Sequence, residues 1–122
     1  MIANRSLLLV GLASLAVAGV ANAHAHLHMS TPANHSTVAV APKQITLEFN
    51  EAVQLTGLTV QKGDSKASDL GPLPATAMKA YTFTLPALDA GNYIVKWRAL
   101  SDDGHVMADK ILFTIGSASA AK

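Results

Sequence analysis

The chain has 122 residues, of which 50 % are hydrophobic and 14 % charged, and it contains no cysteine. Nine Lys/Arg stand against eight Asp/Glu with no run of like charge, which excludes a basic face for nucleic acid. Without cysteine there is no disulfide and no thiolate metal site. Stability must come from core packing, and any metal must be held by nitrogen, oxygen or thioether sulfur.

The first 23 residues read as an export signal. Asn4 and Arg5 form a short polar start, Leu7–Val20 is an apolar run, and Ala21-Asn22-Ala23 is the small-x-small pattern that signal peptidase cuts. The uncharged stretch Ser6–Ala23 has 18 residues, fewer than the about 20 that span a bilayer, and no Lys/Arg cluster follows to stop transfer. Residues 1–23 are therefore expected to be a cleaved signal peptide and residues 24–122 a single exported domain without membrane insertion. Arg5 leaves with the leader, so eight Lys/Arg then face eight Asp/Glu and the mature chain is near neutral. Ala23-His24-Ala25 also satisfies the cleavage pattern and would start the mature chain at His26 instead.

Three of the five histidines follow at once, in His24-Ala25-His26-Leu27-His28. A histidine at a free terminus is a special ligand, because its α-amine and its own imidazole Nδ1 close a chelate ring on one ion. An α-amine titrates near about 8, so a metal displaces its proton more readily than that of a lysine. Two nitrogens in a plane suit the tetragonal preference of Cu(II). A His-rich start is equally compatible with a solvated tail.

Further along, Gln44–Asn50 alternates Ile45, Leu47 and Phe49 with Thr46, Glu48 and Asn50, the period of a half-buried strand. Gly57–Lys62 reads as a second strand with Leu58 and Val60 inward, ended by Gly63-Asp64-Ser65. Ser65–Ala77, with its prolines and small residues, reads as a long loop with one weak edge strand. Ala80–Leu85 sets Tyr81, Phe83 and Leu85 against Thr82 and Thr84. Leu88–Tyr93 is a tight approach to a strand carrying Tyr93, Val95, Trp97 and Ala99 on its core face, with Lys96 and Arg98 outward. A tyrosine just after a Gly turn at such a position suits a tyrosine corner, its hydroxyl returning to the turn backbone. Lys110–Ile115 closes the domain with Ile111, Phe113 and Ile115 inward. Met78 and Met107 read as core gap fillers. About seven short strands with turns every 8–12 residues predict an all-β, immunoglobulin-like Greek-key sandwich.

Ser101-Asp102-Asp103-Gly104-His105 falls at a junction between two of these strands. In an extended backbone Asp103 and His105 point to the same side, with Asp102 opposite. With His24 they offer three nitrogens and one carboxylate oxygen, a square-planar set for Cu(II). Asp-Gly is also a common hairpin dipeptide, and on its own the segment can be no more than a turn. His28, Met29 and His35 are candidates for an auxiliary soft site, although exposed strand positions account for the two histidines more simply.

These stretches together resemble the CopC family of periplasmic copper-resistance proteins along essentially the whole mature length. The resemblance rests on His24-Ala-His-Leu, Ser30-Thr-Pro-Ala, Ile45-Thr-Leu-Glu-Phe-Asn-Glu51 and, above all, Ala90-Gly-Asn-Tyr-Ile-Val-Lys-Trp-Arg-Ala-Leu-Ser-Asp-Asp-Gly-His105. It implies a β-sandwich binding one Cu(II) per chain through His24, Asp103 and His105. His26 matches a histidine that some members carry, as a ligand or as its supporting partner. A membrane copper transporter is the partner that the analogy suggests, and a monomer is expected. Some members also hold Cu(I) in a methionine-rich loop. Here the corresponding Gln54–Met78 has Met78 alone and no histidine, so no thioether site is expected there. Val106 stands where proline often follows the motif histidine, a change affecting the turn more than the ligands.

Capture, buffering or delivery of Cu(II) without catalysis is the expected function. A copper-brace oxidative enzyme resembling lytic polysaccharide monooxygenases is the alternative with related ligands. It needs an open coordination position and a broad aromatic face, and three Phe, two Tyr and one Trp leave little for one. A structural sandwich with incidental histidines is the third reading.

Overall fold

A computed structural model of the protein describes residues 25–116; the expected leader and His24 lie outside the described residues. Seven strands and no helix make up the described chain: β1 Leu27–Thr31, β2 Ser36–Val38, β3 Gln44–Lys62, β4 Ser68–Asp69, β5 Met78–Thr84, β6 Gly91–Ser101 and β7 Val106–Ile115. The all-β sandwich expected from the alternation pattern is what forms. Among the described residues no helix is long and apolar enough to cross a membrane.

The largest departure from the sequence reading is β3. Gln44–Asn50 and Gly57–Lys62 are not two strands but the ends of one 19-residue strand. Its first part pairs with β1 on one side and β5 on the other, and its second part pairs with β6 and β4. One backbone thus serves both sheets, turning the corner between them as bulged strands do in sandwiches. The pairing records where it bends: the register with β5 jumps between Glu48 and Val53, and that with β6 between Leu55 and Gly57. An inserted residue reverses which face each side chain meets. Buried positions accordingly run Ile45, Leu47, Phe49, Val53 and Leu55, then change parity to Leu58 and Val60.

Tyr81 of β5 secures the bend. Its buried hydroxyl donates to the Val53 carbonyl at 2.7 Å, with the Thr76 carbonyl at 3.1 Å, and accepts from the Leu55 N–H at 3.2 Å. Phe49, on the first part of β3, meets Trp97 of β6 edge-on at 5.2 Å and 79°, joining the two sheets through the core. Each fully buried aliphatic or Phe side chain contributes about 1.5–3 kcal/mol. Two of them therefore match the about 2–4 kcal/mol of a disulfide, which is how a chain without cysteine holds together.

β6 behaves as its pattern requires. Tyr93, Val95, Trp97 and Ala99 are buried, Lys96 and Arg98 exposed. The tyrosine corner forms: Tyr93 Oη donates to the Asp89 carbonyl at 2.7 Å. The Asp89 carboxylate, 3.0 Å from the same hydroxyl, also pairs with Lys62 Nζ at 2.9 Å. The expected weak edge strand in Ser65–Ala77 is β4, two residues long. Met107 packs partly buried against the core, but Met78 is exposed at the start of β5 and is not a core filler. β2, which lacks any clear alternation, adds to β7 in parallel, Ser36 to Val38 opposite Phe113 to Ile115.

Candidate metal centre

β6 and β7 form a hairpin whose last strand pair is Leu100–Val106. The connection obeys its sequence. Ser101-Asp102-Asp103-Gly104 has Ser at the first and Gly at the fourth position of a type I turn, and Gly104 N–H donates to the Ser101 carbonyl at 3.0 Å. Gly104 then takes φ +90°, the left-handed residue that completes a three-residue hairpin loop. Ser101 N–H closes it on the His105 carbonyl at 2.9 Å.

Asp103 and His105 meet because of this turn, not because of strand alternation. Their backbone is not extended, yet His105 Nδ1 lies 3.1 Å from Asp103 Oδ2. Two donors each about 2.0–2.1 Å from a first-row metal and at right angles to one another stand about 2.9 Å apart. The observed spacing therefore fits neighbouring corners of one coordination plane.

Ser101 is the residue that sequence reasoning passed over. It is buried at the hairpin base, and its hydroxyl donates to Asp103 Oδ1. The same oxygen of Ser101 accepts from the His105 N–H at 3.2 Å. One hydroxyl thus orients the carboxylate and the backbone of the histidine. The Ser101 hydrogen bond is the main cause that holds the Asp103 carboxyl below its ordinary range, aided by the His105 N–H and opposed by burial. Asp103 stays an anion, and hence a competent ligand, to lower pH than an ordinary aspartate. Ser101→Ala is expected to leave the fold intact and to weaken Cu(II) binding about tenfold, the low end of what an outer-shell partner is worth. Isothermal titration with Cu(II) checks this, and an unchanged affinity would remove Ser101 from the site.

The pair opens into a concavity of 290 Å³ lined by Ala25, Ser101, Asp103, His105 and Met107. Ala25 brings the N-terminal chain to this wall. Asn50 holds it there: the His26 N–H donates to Asn50 Oδ1 at 2.6 Å, and the Asn50 N–H donates to the His26 carbonyl at 3.1 Å. His24 precedes Ala25 by a single Cα step of about 3.8 Å. His26 itself is exposed and lines a neighbouring groove, not the concavity of Asp103 and His105. Asp102 faces a third hollow, with Glu51 and Gln54. Among the described residues no three His, Cys, Asp or Glu side chains converge. Besides Asp103 and His105 the described lining offers the Ser101 hydroxyl and the Met107 thioether; further nitrogen donors would come from His24 or from a rearranged His26.

A small sandwich with an Asp/His hairpin at the rim where its N-terminal chain arrives defines the class of protein: a β-sandwich that offers a paired carboxylate and imidazole at one end. The chain belongs to the CopC family, whose domain it matches over residues 27–116. It is 36 % identical over 128 residues to copper resistance protein C of Escherichia coli, covering 93 % of this chain and 98 % of the relative. It is 32 % identical over 101 residues to copper transport protein CutJ of Bacillus subtilis, covering 79 % of this chain but 19 % of that longer protein. Among solved structures it resembles CopC from Methylosinus trichosporium OB3b with a TM-score of 0.66 at 28 % identity, over 77 % of this chain and 95 % of the other.

Proposed function

We propose that this chain is an exported periplasmic protein that captures one Cu(II) at the hairpin rim and buffers or delivers it without turnover. The observation that carries this reading is the 3.1 Å Asp103–His105 pair, in a concavity whose wall also holds Ala25. Cleavage after Ala23 would make His24, the residue before Ala25, the free terminus; its amine and imidazole with Asp103 and His105 would supply three nitrogens and one carboxylate, a set suited to Cu(II). His26, held by Asn50 one residue beyond Ala25, is the nearest further imidazole on the chain. The leader pattern in residues 1–23 supports export. The family relationship supports a role in copper handling, and the match to one part of the longer copper transport protein supports a copper transporter as the receiving partner. In the region where some relatives carry a methionine loop, Gln54–Met78 offers only the exposed Met78.

Intact mass of the exported protein, with and without one equivalent of Cu(II), together with the EPR spectrum, tests the reading. The expected result is the mass of residues 24–122, a gain of one copper, and a tetragonal spectrum with nitrogen couplings. A retained leader, or a spectrum showing only oxygen donors, would exclude the terminal chelate.

A further inference from the structure

Beside the Asp103–His105 concavity lies a larger groove of 820 Å³ between β1 and β7, with Trp97 among its walls. β1 pairs with β3 alone, and β7 pairs with β2 only from Phe113 onward, so the facing edges of Leu27–Thr31 and Val106–Ile111 are not bridged to one another. Four soft or borderline donors line this groove: His26 just ahead of β1, His28 and Met29 from β1, and Met107 from β7. The backbone of His26 is tied to Asn50 and its imidazole is the candidate further ligand of the proposed Cu(II) centre, which leaves the other three.

Their presence on one side has a local cause. The register of β1 on β3 runs Leu27 to Phe49 and then Met29 to Glu48, so His28 is an inserted bulge residue. In a regular strand one of two neighbours would turn inward. The bulge leaves His28 and Met29 both exposed and both against the groove, and returns Ser30 to the interior. Met29 is 50 % exposed, although burying such a side chain is worth about 1.5–3 kcal/mol. Core packing does not account for it. Met107, partly buried, lines this groove and the Asp103–His105 concavity alike. His35 does not take part: it sits at φ 66°, in a hollow with Asn92 and Ile94. The trio that the sequence offered as a weaker candidate is thus regrouped, with Met107 in place of His35.

We infer that His28, Met29 and Met107 form a second metal site, selective for a soft monovalent ion of the Cu(I) class. Two uncharged thioethers and one imidazole match a soft, singly charged ion and are poor partners for a hard divalent one. The site uses neither Asp103 nor His105, so it stands or falls separately from the proposed Cu(II) centre. Met107, common to both hollows, puts the two ions on adjacent sides of one residue.

Ag(I), a redox-inert probe of the same class, tests this on the exported protein carrying ¹³C-methyl methionine. The expected result is that one equivalent moves the Met29 and Met107 methyl resonances together and leaves Met78, at the start of β5, unmoved. Met29→Leu, a volume-conserving change at an exposed position, should weaken Ag(I) by at least about tenfold, as losing even a supporting partner does at a metal site. It should leave the Cu(II) EPR spectrum unchanged. A shift of Met107 alone would put the ion in the Asp103–His105 concavity and overturn the inference. Equal movement of Met78, or full Ag(I) affinity in Met29→Leu, would overturn it as well.

Discussion

His105→Ala is expected to lower Cu(II) affinity by more than about a hundredfold, above the 10–100-fold that losing an outer-shell partner alone costs a metal site. His105 is the one imidazole in the concavity of Asp103 among the described residues, 3.1 Å from its carboxylate. Its loss leaves that carboxylate to hold the ion's edge without a neighbouring nitrogen, in the plane where Cu(II) bonds most strongly. The fold should barely respond, because the side chain is exposed on a turn and such substitutions usually fall within about 0.5 kcal/mol. Asp102→Asn is the matched control. It removes a neighbouring charge from the same loop, but one facing Glu51 and Gln54 across a different hollow. Competition titration against a chelator of known affinity separates the outcomes. Near-native binding by His105→Ala, or an equal loss in Asp102→Asn, would show that the hairpin contributes only its charge.

Tyr81→Phe should be the most damaging loss of a single atom in the domain. The ring would stay, keeping its edge contact with Phe49 at 6.4 Å, so the change isolates the hydroxyl. That hydroxyl serves the Val53 carbonyl and the Leu55 N–H where β3 bends. Leaving a buried backbone group unsatisfied costs about 1–3 kcal/mol, so two give roughly 2–4 kcal/mol after partial relaxation. At about 4–8 °C per kcal/mol for a domain of this size, the melting temperature should fall by roughly 10–25 °C. Calorimetry of the apo protein measures it directly. A drop of under a few degrees would mean that the bend is held by pairing alone and that Tyr81 is a packing residue.

Strand content was legible wherever side chains alternate without interruption. Tyr93, Val95, Trp97 and Ala99 declare a core face, and the Gly91-Asn92-Tyr93 sequence declares the corner that follows from it. β3 was misread because a bulge near Thr56 changes the parity of the pattern, and in a sequence a parity change looks like the end of a strand. β2 was invisible because its three residues carry no alternation, and its place on β7 is set by contacts nearly eighty residues away. At the candidate site, residue types and spacing named Asp103 and His105, but for a geometry that does not occur. The turn that joins them is written in Ser101, Asp102 and Gly104 as turn preferences. Ser101 drew no role from the sequence because its work, a hydroxyl aimed at a carboxylate two residues on, leaves no periodic mark. The grouping of Met107 with His28 and Met29 depends on β1 and β7 flanking the open side of the sandwich, a non-local relation that no window of sequence contains.

The sharing of β3 between the two sheets also decides how the molecule comes apart. In many sandwiches one sheet can fray while the other persists, since each keeps its own central strand. Here the 19 residues from Gln44 to Lys62 are the middle rung of both. Peeling β5 and β1 from one end disturbs the backbone on which β6 and β4 are paired at the other. Partial opening is therefore disfavoured relative to complete unfolding, and the domain behaves as one cooperative unit. In the proposed function the ion would bind at the hairpin loop, outside β3, so its arrival or loss need not disturb the strand on which both sheets depend.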